Sequence, residues 1–157
     1  MWSAAYLKLS TGVTHVDGQC RLTISQGEES LTIIASYTPS DSFLDLTSAL
    51  YNLLCYRVGG AVTWHAEPAE TELRFSISQE DVELEVYSFS DHRRDYGRGE
   101  RELAITGSYE EICMPFWRAL RSLQGRFSPE ELDVRWHRPF PWKEIEILTA
   151  AIKEKFA

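Results

Sequence analysis

The sequence predicts a single α+β domain over residues 1–157, with a mainly antiparallel sheet of about six strands and helices packed on one face. Three observations predict this class. Residues 20–38 and 61–90 alternate apolar with polar residues, which is the period of strands. A leucine-rich segment between them has helical spacing, and so does most of the C-terminal third. The length matches one ordinary domain.

The N-terminal part predicts three strands. Residues 4–10 are expected to add one strand, and CRLTIS at 20–25 and SLTIIASYT at 30–38 alternate clearly. The intervening QGEE suits a hairpin turn.

The segment SDSFLDLTSALYNLL at 40–54 changes to helical spacing. Its apolar face contains Phe43, Leu46, Leu50, Leu53 and Leu54. Ser40 or Ser42 is expected to cap the start, and Gly59-Gly60 lies shortly after the end.

Residues 61–90 predict three antiparallel strands with one apolar face and one polar, acidic face. Matching apolar to apolar positions fixes the register, because a one-residue slip would turn each apolar set to solvent. The predicted cross-strand pairs are Ile77–Val82, Arg74–Glu85, Ser76–Glu83 and His65–Glu72. The polar residues 90–100 predict a loop, and RELAIT after them predicts another strand.

The C-terminal helices have clear start signals. Two capping boxes are predicted, Ser108 with Glu111 and Ser128 with Glu131, and Pro129 suits the first helical position. Pro115 is expected to kink its helix or to begin the main part of it. The apolar stripes are Ile112, Phe116, Leu120 and Leu123, then Ile145, Leu148, Ile152 and Phe156.

The formal net charge is −8 and the pI is near 5.0. This charge disfavours nucleic acid and anionic membranes as partners and suits a basic protein partner. The sequence has no recognisable signal peptide and no long apolar span, so we expect a cytoplasmic protein. Cys20, Cys55 and Cys113 are odd in number and widely spaced, and we expect buried free thiols.

Motifs for familiar chemistry are incomplete. His65-Ala66-Glu67 matches half of a zinc deaminase signature, but the second half, P-C-x-x-C, is missing. The four histidines do not have metal-ligand spacing. We therefore expect no metal site and no cofactor.

Two groups of residues are candidate binding sites. The outer sheet face is predicted to carry His65, Glu72, Arg74, Glu83, Glu85 and Tyr87. Cross-strand charge pairs ordinarily keep such a face soluble, but His65 beside Glu72 and Tyr87 could also do acid–base work. The second group is WHRPFPW at 136–142. There Trp136 and Trp142 either fix a corner between two helices or contact a protein partner.

The order of the leucine-rich helix, a W-x-x-E-P turn and a W-x-x-P-F-P corner resembles a group of small uncharacterised bacterial proteins. Here these residues are Trp64, Glu67 and Pro68, then Trp136, Pro139, Phe140 and Pro141. The similarity spans roughly residues 40–156 and implies no activity.

The first functional hypothesis is a non-enzymatic protein-binding module that uses an acidic surface, for example an immunity-type inhibitor. The alternative is a small-molecule-binding domain or enzyme, with a pocket near His65, Tyr87 and the loop at 90–100.

Overall fold

The computed structural model describes residues 2–9, 19–66, 68–91 and 99–157, with only the backbone given for 2–9. Seven strands and four helices lie along these residues. They are β1 (Trp2–Leu9), β2 (Gln19–Gln26), β3 (Glu29–Ser36), α1 (Ser42–Tyr56), β4 (Gly60–His65), β5 (Glu70–Ser78), β6 (Asp81–Phe89), β7 (Glu100–Gly107), α2 (Tyr109–Arg126), α3 (Pro129–Trp136) and α4 (Trp142–Lys155). The strands form one antiparallel sheet in chain order. The predicted α+β class is confirmed.

The alternating strand residues and the helix stripes enclose a common core. The strands β2 and β6 contribute six buried residues to this core: Cys20, Leu22, Ile24, Val82, Leu84 and Val86. The helix α2 lies against β1 at one edge of the sheet and against β6 and β7 at the other. The sheet therefore curves around this helix.

The predicted register is confirmed between β5 and β6 and wrong between β4 and β5. The confirmed pairs are Ile77–Val82, Arg74–Glu85 and Ser76–Glu83. In contrast, His65 pairs with Glu70 and not with Glu72. The connection is shorter than predicted, because the Ala66 amide already donates to the Ala69 carbonyl at 2.8 Å. A two-residue shift keeps each side chain on its face, so alternation could not reveal the difference.

The two halves of the sheet meet at one point. Within the described strands, β3 and β4 pair only through Ser36 and His65, which are the last residues of their strands. The β1–β3 half therefore extends beyond the end of β4. Beside this junction, the Ser42 hydroxyl of α1 donates to the Thr63 carbonyl of β4 at 2.6 Å. The start of α1 thus supports the strand where β3 no longer pairs with it.

The cap of α1 differs from the prediction. Neither Ser40 nor Ser42 is the N-cap; Asp41 is, and its carboxylate accepts from the Leu44 amide at 3.1 Å. Aspartate is as good an N-cap as serine, so local preference could not separate these neighbours.

The end of α1 places Gly59 against the sheet. The helix ends at Arg57, which has a left-handed backbone with φ of 53°. A Cβ atom at Gly59 would lie 2.4 Å from the Phe75 carbonyl oxygen. This glycine therefore permits a close approach to β5, whereas the sequence suggested a helix-terminating role.

The C-terminal helices begin as predicted. Both capping boxes are present, and Pro129 lies in the first turn of α3. The helix α2 begins at Tyr109 and continues through Pro115, so its main part does not start there. The predicted stripes of α2 and α4 are buried, except that Phe156 is only partly buried.

The corner at 136–142 joins α3 and α4 and packs on the start of α1. Trp136 and Phe140 are buried against Phe43, with ring centroids 4.6 Å and 5.1 Å away. The Trp136 indole donates to the Asp41 carboxylate at 3.1 Å. Arg138 donates to a carbonyl of the β3–α1 connection at 2.7 Å. These contacts attach the C-terminal helices to the N-terminal half of the chain.

We expect Asp41→Ala to lower the free energy of unfolding by about 2–3 kcal/mol in urea denaturation. Loss of an N-cap costs about 1 kcal/mol, and an unsatisfied buried indole N–H adds about 1–2 kcal/mol. Asp41→Asn keeps an acceptor oxygen and should cost less than the alanine substitution. Glu28→Ala, in the exposed β2–β3 turn, should stay within about 0.5 kcal/mol. If Asp41→Ala unfolds at the same urea concentration as the wild type, the Asp41 carboxylate does not stabilise the fold in this way.

The three cysteines are free thiols, as predicted, but Cys55 is only half-buried. Burial raises the pKa of the Cys113 thiol to about 12 and also raises that of Cys20.

We therefore expect one fast-reacting thiol with Ellman's reagent at pH 8 in the native protein, and three in denaturant. Cys55→Ser should remove the fast reaction. A second fast native thiol in the wild type would show that a buried site opens readily.

Candidate functional site

Four residues of the predicted binding surface meet on the outer face of β5 and β6. The register sets Arg74 opposite Glu85 and Glu72 opposite Tyr87, and Arg101 of β7 pairs with Tyr87 from the other side. We call these five residues the polar platform. The positions of Glu72, Arg74, Glu85 and Tyr87 follow from the confirmed β5–β6 register, and that of Arg101 follows from the pairing of β6 with β7.

The side chains of the polar platform hold one another in place. Arg74 donates to the Glu72 carboxylate, and its guanidinium lies 3.9 Å from the centre of the Tyr87 ring. The Tyr87 hydroxyl donates to Glu85 at 2.8 Å, and Arg101 donates to the same carboxylate oxygen at 3.4 Å. Each charged group thus faces an opposite charge, a donor or a ring. This arrangement limits the freedom of long side chains on a partly exposed face, on which Glu72 is itself buried.

The hydrogen bond to Glu85 raises the pKa of Tyr87, and partial burial and the charge of Glu85 raise it further. Arg74 and Arg101 oppose this shift. The phenol consequently stays a donor through neutral and mildly alkaline pH.

An acidic edge adjoins the platform at the β5–β6 turn. It consists of Glu80 and Asp81, which are exposed, and Glu83, which is half-buried. Glu83, another residue of the predicted surface, lies opposite Ser76 and Thr106. These carboxylates extend the outer face beyond the charge-paired platform.

His65 does not meet Glu72 and Tyr87 in the predicted arrangement. Its Nδ1 atom lies 3.2 Å from a carboxylate oxygen of Glu70, and its Nε2 atom lies 2.8 Å from the Ser40 hydroxyl. We call Ser40, His65 and Glu70 the triad. Glu70 is buried and the other two residues are half-buried.

The surroundings of the triad are charged. Burial raises the pKa of Asp45, and the nearby Asp41 carboxylate raises it further, while Arg138 and His65 oppose the shift. The Arg138 side chain lies 3.7 Å from Asp41. The triad therefore has two further carboxylates and one guanidinium near it.

The sequence patterns do not predict two members of the triad. Ser40 matches a helix-cap pattern, and Glu70 lies outside the predicted pairing of His65 with Glu72. A four-residue connection between β4 and β5 would have placed Glu70 opposite His65. The residue types at 66–69 are compatible with a four-residue connection and with a longer one, so the sequence does not fix the length of the connection.

The two predicted tryptophans lie away from the outer face. Trp136 is fully buried, and Trp142 packs partly against the core while its carbonyl accepts from Gln124. The full burial of Trp136 and the partial burial of Trp142 favour the structural interpretation of the 136–142 corner. Residues 92–98 of the predicted loop lie outside the described residues, as does Glu67.

One cavity of about 300 Å³ lies at the start of α2, bordered by β7 and the end of β2. Its lining includes Thr106, Met114 and Arg118 and none of the triad. Among the described residues, no group of three His, Cys, Asp or Glu side chains could hold a metal ion. Of the described helices, none is long and apolar enough to cross a membrane.

Comparison with known proteins identifies no relative. No protein-family model matches the chain, and neither the curated proteins nor the solved structures contain a significant match. A functional proposal must therefore come from the geometry of the outer face and the triad.

We expect Glu85→Gln to lower the pKa of Tyr87 toward its ordinary value, because the substitution removes the acceptor charge that favours the neutral phenol. An NMR titration of the tyrosine ring carbons would measure this, with Tyr87→Phe to assign the resonance. Glu144→Gln on α4 is the control and should leave the titration of Tyr87 unchanged. An identical Tyr87 pKa in Glu85→Gln and wild type would contradict the hydrogen bond.

Proposed function

We propose that the protein is a protein-binding module that presents the polar platform and the acidic edge to a basic protein partner. The observation that carries this proposal is the ordered, partly exposed Arg74–Tyr87 pair on the outer sheet face, with Glu72, Glu85 and Arg101 fixed around it. Tyrosine and arginine are common at the centres of protein interfaces.

The order within the platform favours binding for an entropic reason. Immobilising a long side chain at an interface costs about 0.5–1.5 kcal/mol. The side chains of Arg74 and Tyr87 already restrain each other, and both are partly exposed. A partner would therefore meet a surface whose largest side chains have lost much of this freedom beforehand.

The acidic edge favours a partner of opposite charge. Glu80, Asp81 and Glu83 lie together at one turn, and the whole chain carries a formal charge of −8. Exposed charges of this kind accelerate encounter with a basic surface, and salt screens the effect. An immunity-type inhibitor of a basic toxin is one concrete form of such a module, by analogy alone.

The first experiment uses the tagged protein as bait in lysate from the source cells, at low and moderate salt. We expect one stoichiometric basic protein that is lost as the salt concentration rises. Retention of no specific protein at either salt concentration would count against the proposal. A retained protein is then purified for kinetic measurements by surface plasmon resonance.

With that partner, we expect Glu80→Gln/Glu83→Gln to slow association several-fold and to flatten its salt dependence. Arg74→Ala should accelerate dissociation at least about 10-fold if it is a central interface residue, since such residues contribute about 2 kcal/mol or more. The control is Glu144→Gln/Glu154→Gln, which makes the same charge change on α4. Equal effects of the two double variants would mean that only net charge matters and that the outer face is not the interface.

A further inference from the structure

The triad places a hydroxyl, an imidazole and a carboxylate next to one another, with a hydrogen bond between Ser40 and His65 and an ion-pair contact between His65 and Glu70. The distances are 2.8 Å from Ser40 Oγ to His65 Nε2 and 3.2 Å from His65 Nδ1 to Glu70 Oε2. We propose that the triad is a catalytic site for hydrolysis of carboxylic esters. Ser40 is the nucleophile, His65 is the general base, and Glu70 is the positioning residue. This activity is independent of the protein-binding function proposed for the outer face.

The carboxylate of Glu70 sets the tautomer of His65. An ionised carboxylate only accepts hydrogen bonds, so Nδ1 carries the proton in the neutral ring and Nε2 presents its lone pair to Ser40. The Ser40 hydroxyl then donates to Nε2, which is the arrangement that a serine nucleophile requires.

Backbone structure holds each member of the triad in place. His65 and Glu70 are a direct cross-strand pair at the end of the β4–β5 hairpin. Ser40 lies in the connection between β3 and α1, just before the N-cap Asp41. That connection is held to β3 by the Ser36 hydroxyl, which donates to the Thr38 carbonyl at 2.9 Å. The geometry therefore does not depend on one flexible side chain.

The reaction follows from these positions. Ser40 Oγ forms a bond with the carbonyl carbon of the ester while its proton passes to His65 Nε2. The bond from that carbon to the alkoxy oxygen breaks, and the departing alcohol takes the proton from Nε2. Water then attacks the acyl-serine with His65 again as base, which releases the carboxylic acid and restores the Ser40 hydroxyl.

The charges around the triad indicate the substrate class. Asp41, Asp45 and Glu70 repel anionic acyl groups, and Arg138 is already engaged by Asp41 and a backbone carbonyl. Ser40 and His65 are half-buried, so part of each side chain is accessible to a substrate. An ester with a small, uncharged acyl group suits this environment.

A fluorophosphonate tests the nucleophile directly, because it forms a stable bond to an activated serine with loss of fluoride. We expect one equivalent on the folded wild-type protein, located at Ser40 by peptide fragmentation in mass spectrometry. This test uses the wild-type protein and needs no substitution. If saturating reagent leaves Ser40 unlabelled, the proposal is overturned. We also expect hydrolysis of p-nitrophenyl acetate, which Ser40→Ala should abolish.

Matched variants separate catalysis from structure. Glu70→Gln should slow labelling of Ser40 at least about 10-fold while circular dichroism shows a folded protein, because the ring loses the charge that orients it. Ser30→Ala removes an exposed hydroxyl on the same sheet and should label at the wild-type rate. Ester hydrolysis that persists in Ser40→Ala, or unchanged labelling in folded Glu70→Gln, would refute the assigned roles. Labelling of Ser40 is measured on the isolated protein, so failure of the binding proposal would be seen separately, in the capture experiment.

Discussion

The carboxylate of Asp41 joins the start of α1 to the 136–142 corner, where its partner Trp136 lies 95 residues further along the chain. One of its oxygens accepts both the Leu44 amide and the indole N–H of Trp136, and the other lies near Arg138. Without it, the half-buried Leu44 amide and the indole N–H of the buried Trp136 would lose their partner, and the loss is most costly for the indole. The start of α1, the β3–α1 connection and the C-terminal corner are thereby fixed to one another.

This constraint matters because the sheet is weakest at the same place. The strands β3 and β4 share one residue pair, Ser36 with His65, and the Ser42 hydroxyl supports β4 beside it. Any shift of α1 would move Ser42 and the neighbouring Ser40 together. The triad therefore depends on Asp41 and on the packing of the 136–142 corner, whereas the polar platform depends mainly on the β5–β6 register.

The sequence predicts features that depend on short-range patterns and misses those that depend on contacts between distant parts of the chain. Alternation located the strands, and matching Ile77 with Val82 placed four of the five platform residues, because a tight hairpin allows few registers. The position of Glu70 opposite His65 was missed, because a two-residue shift preserves alternation. Asp41 was missed as the cap because its advantage over adjacent serines comes from Trp136, which lies 95 residues away. Such long-range partners leave no local pattern.

Net charge alone would give a misleading account of the outer face. Glu72 and Glu85 face Arg74 and Arg101, so their charges are largely compensated within the platform. The exposed carboxylates at the β5–β6 turn have a different electrostatic role. In the proposed complex, the acidic edge attracts a basic partner over a long range, and the Arg74–Tyr87 pair makes the short-range contacts. Because these residues adjoin along one hairpin, the same register that orders the platform also decides where an attracted partner first makes contact.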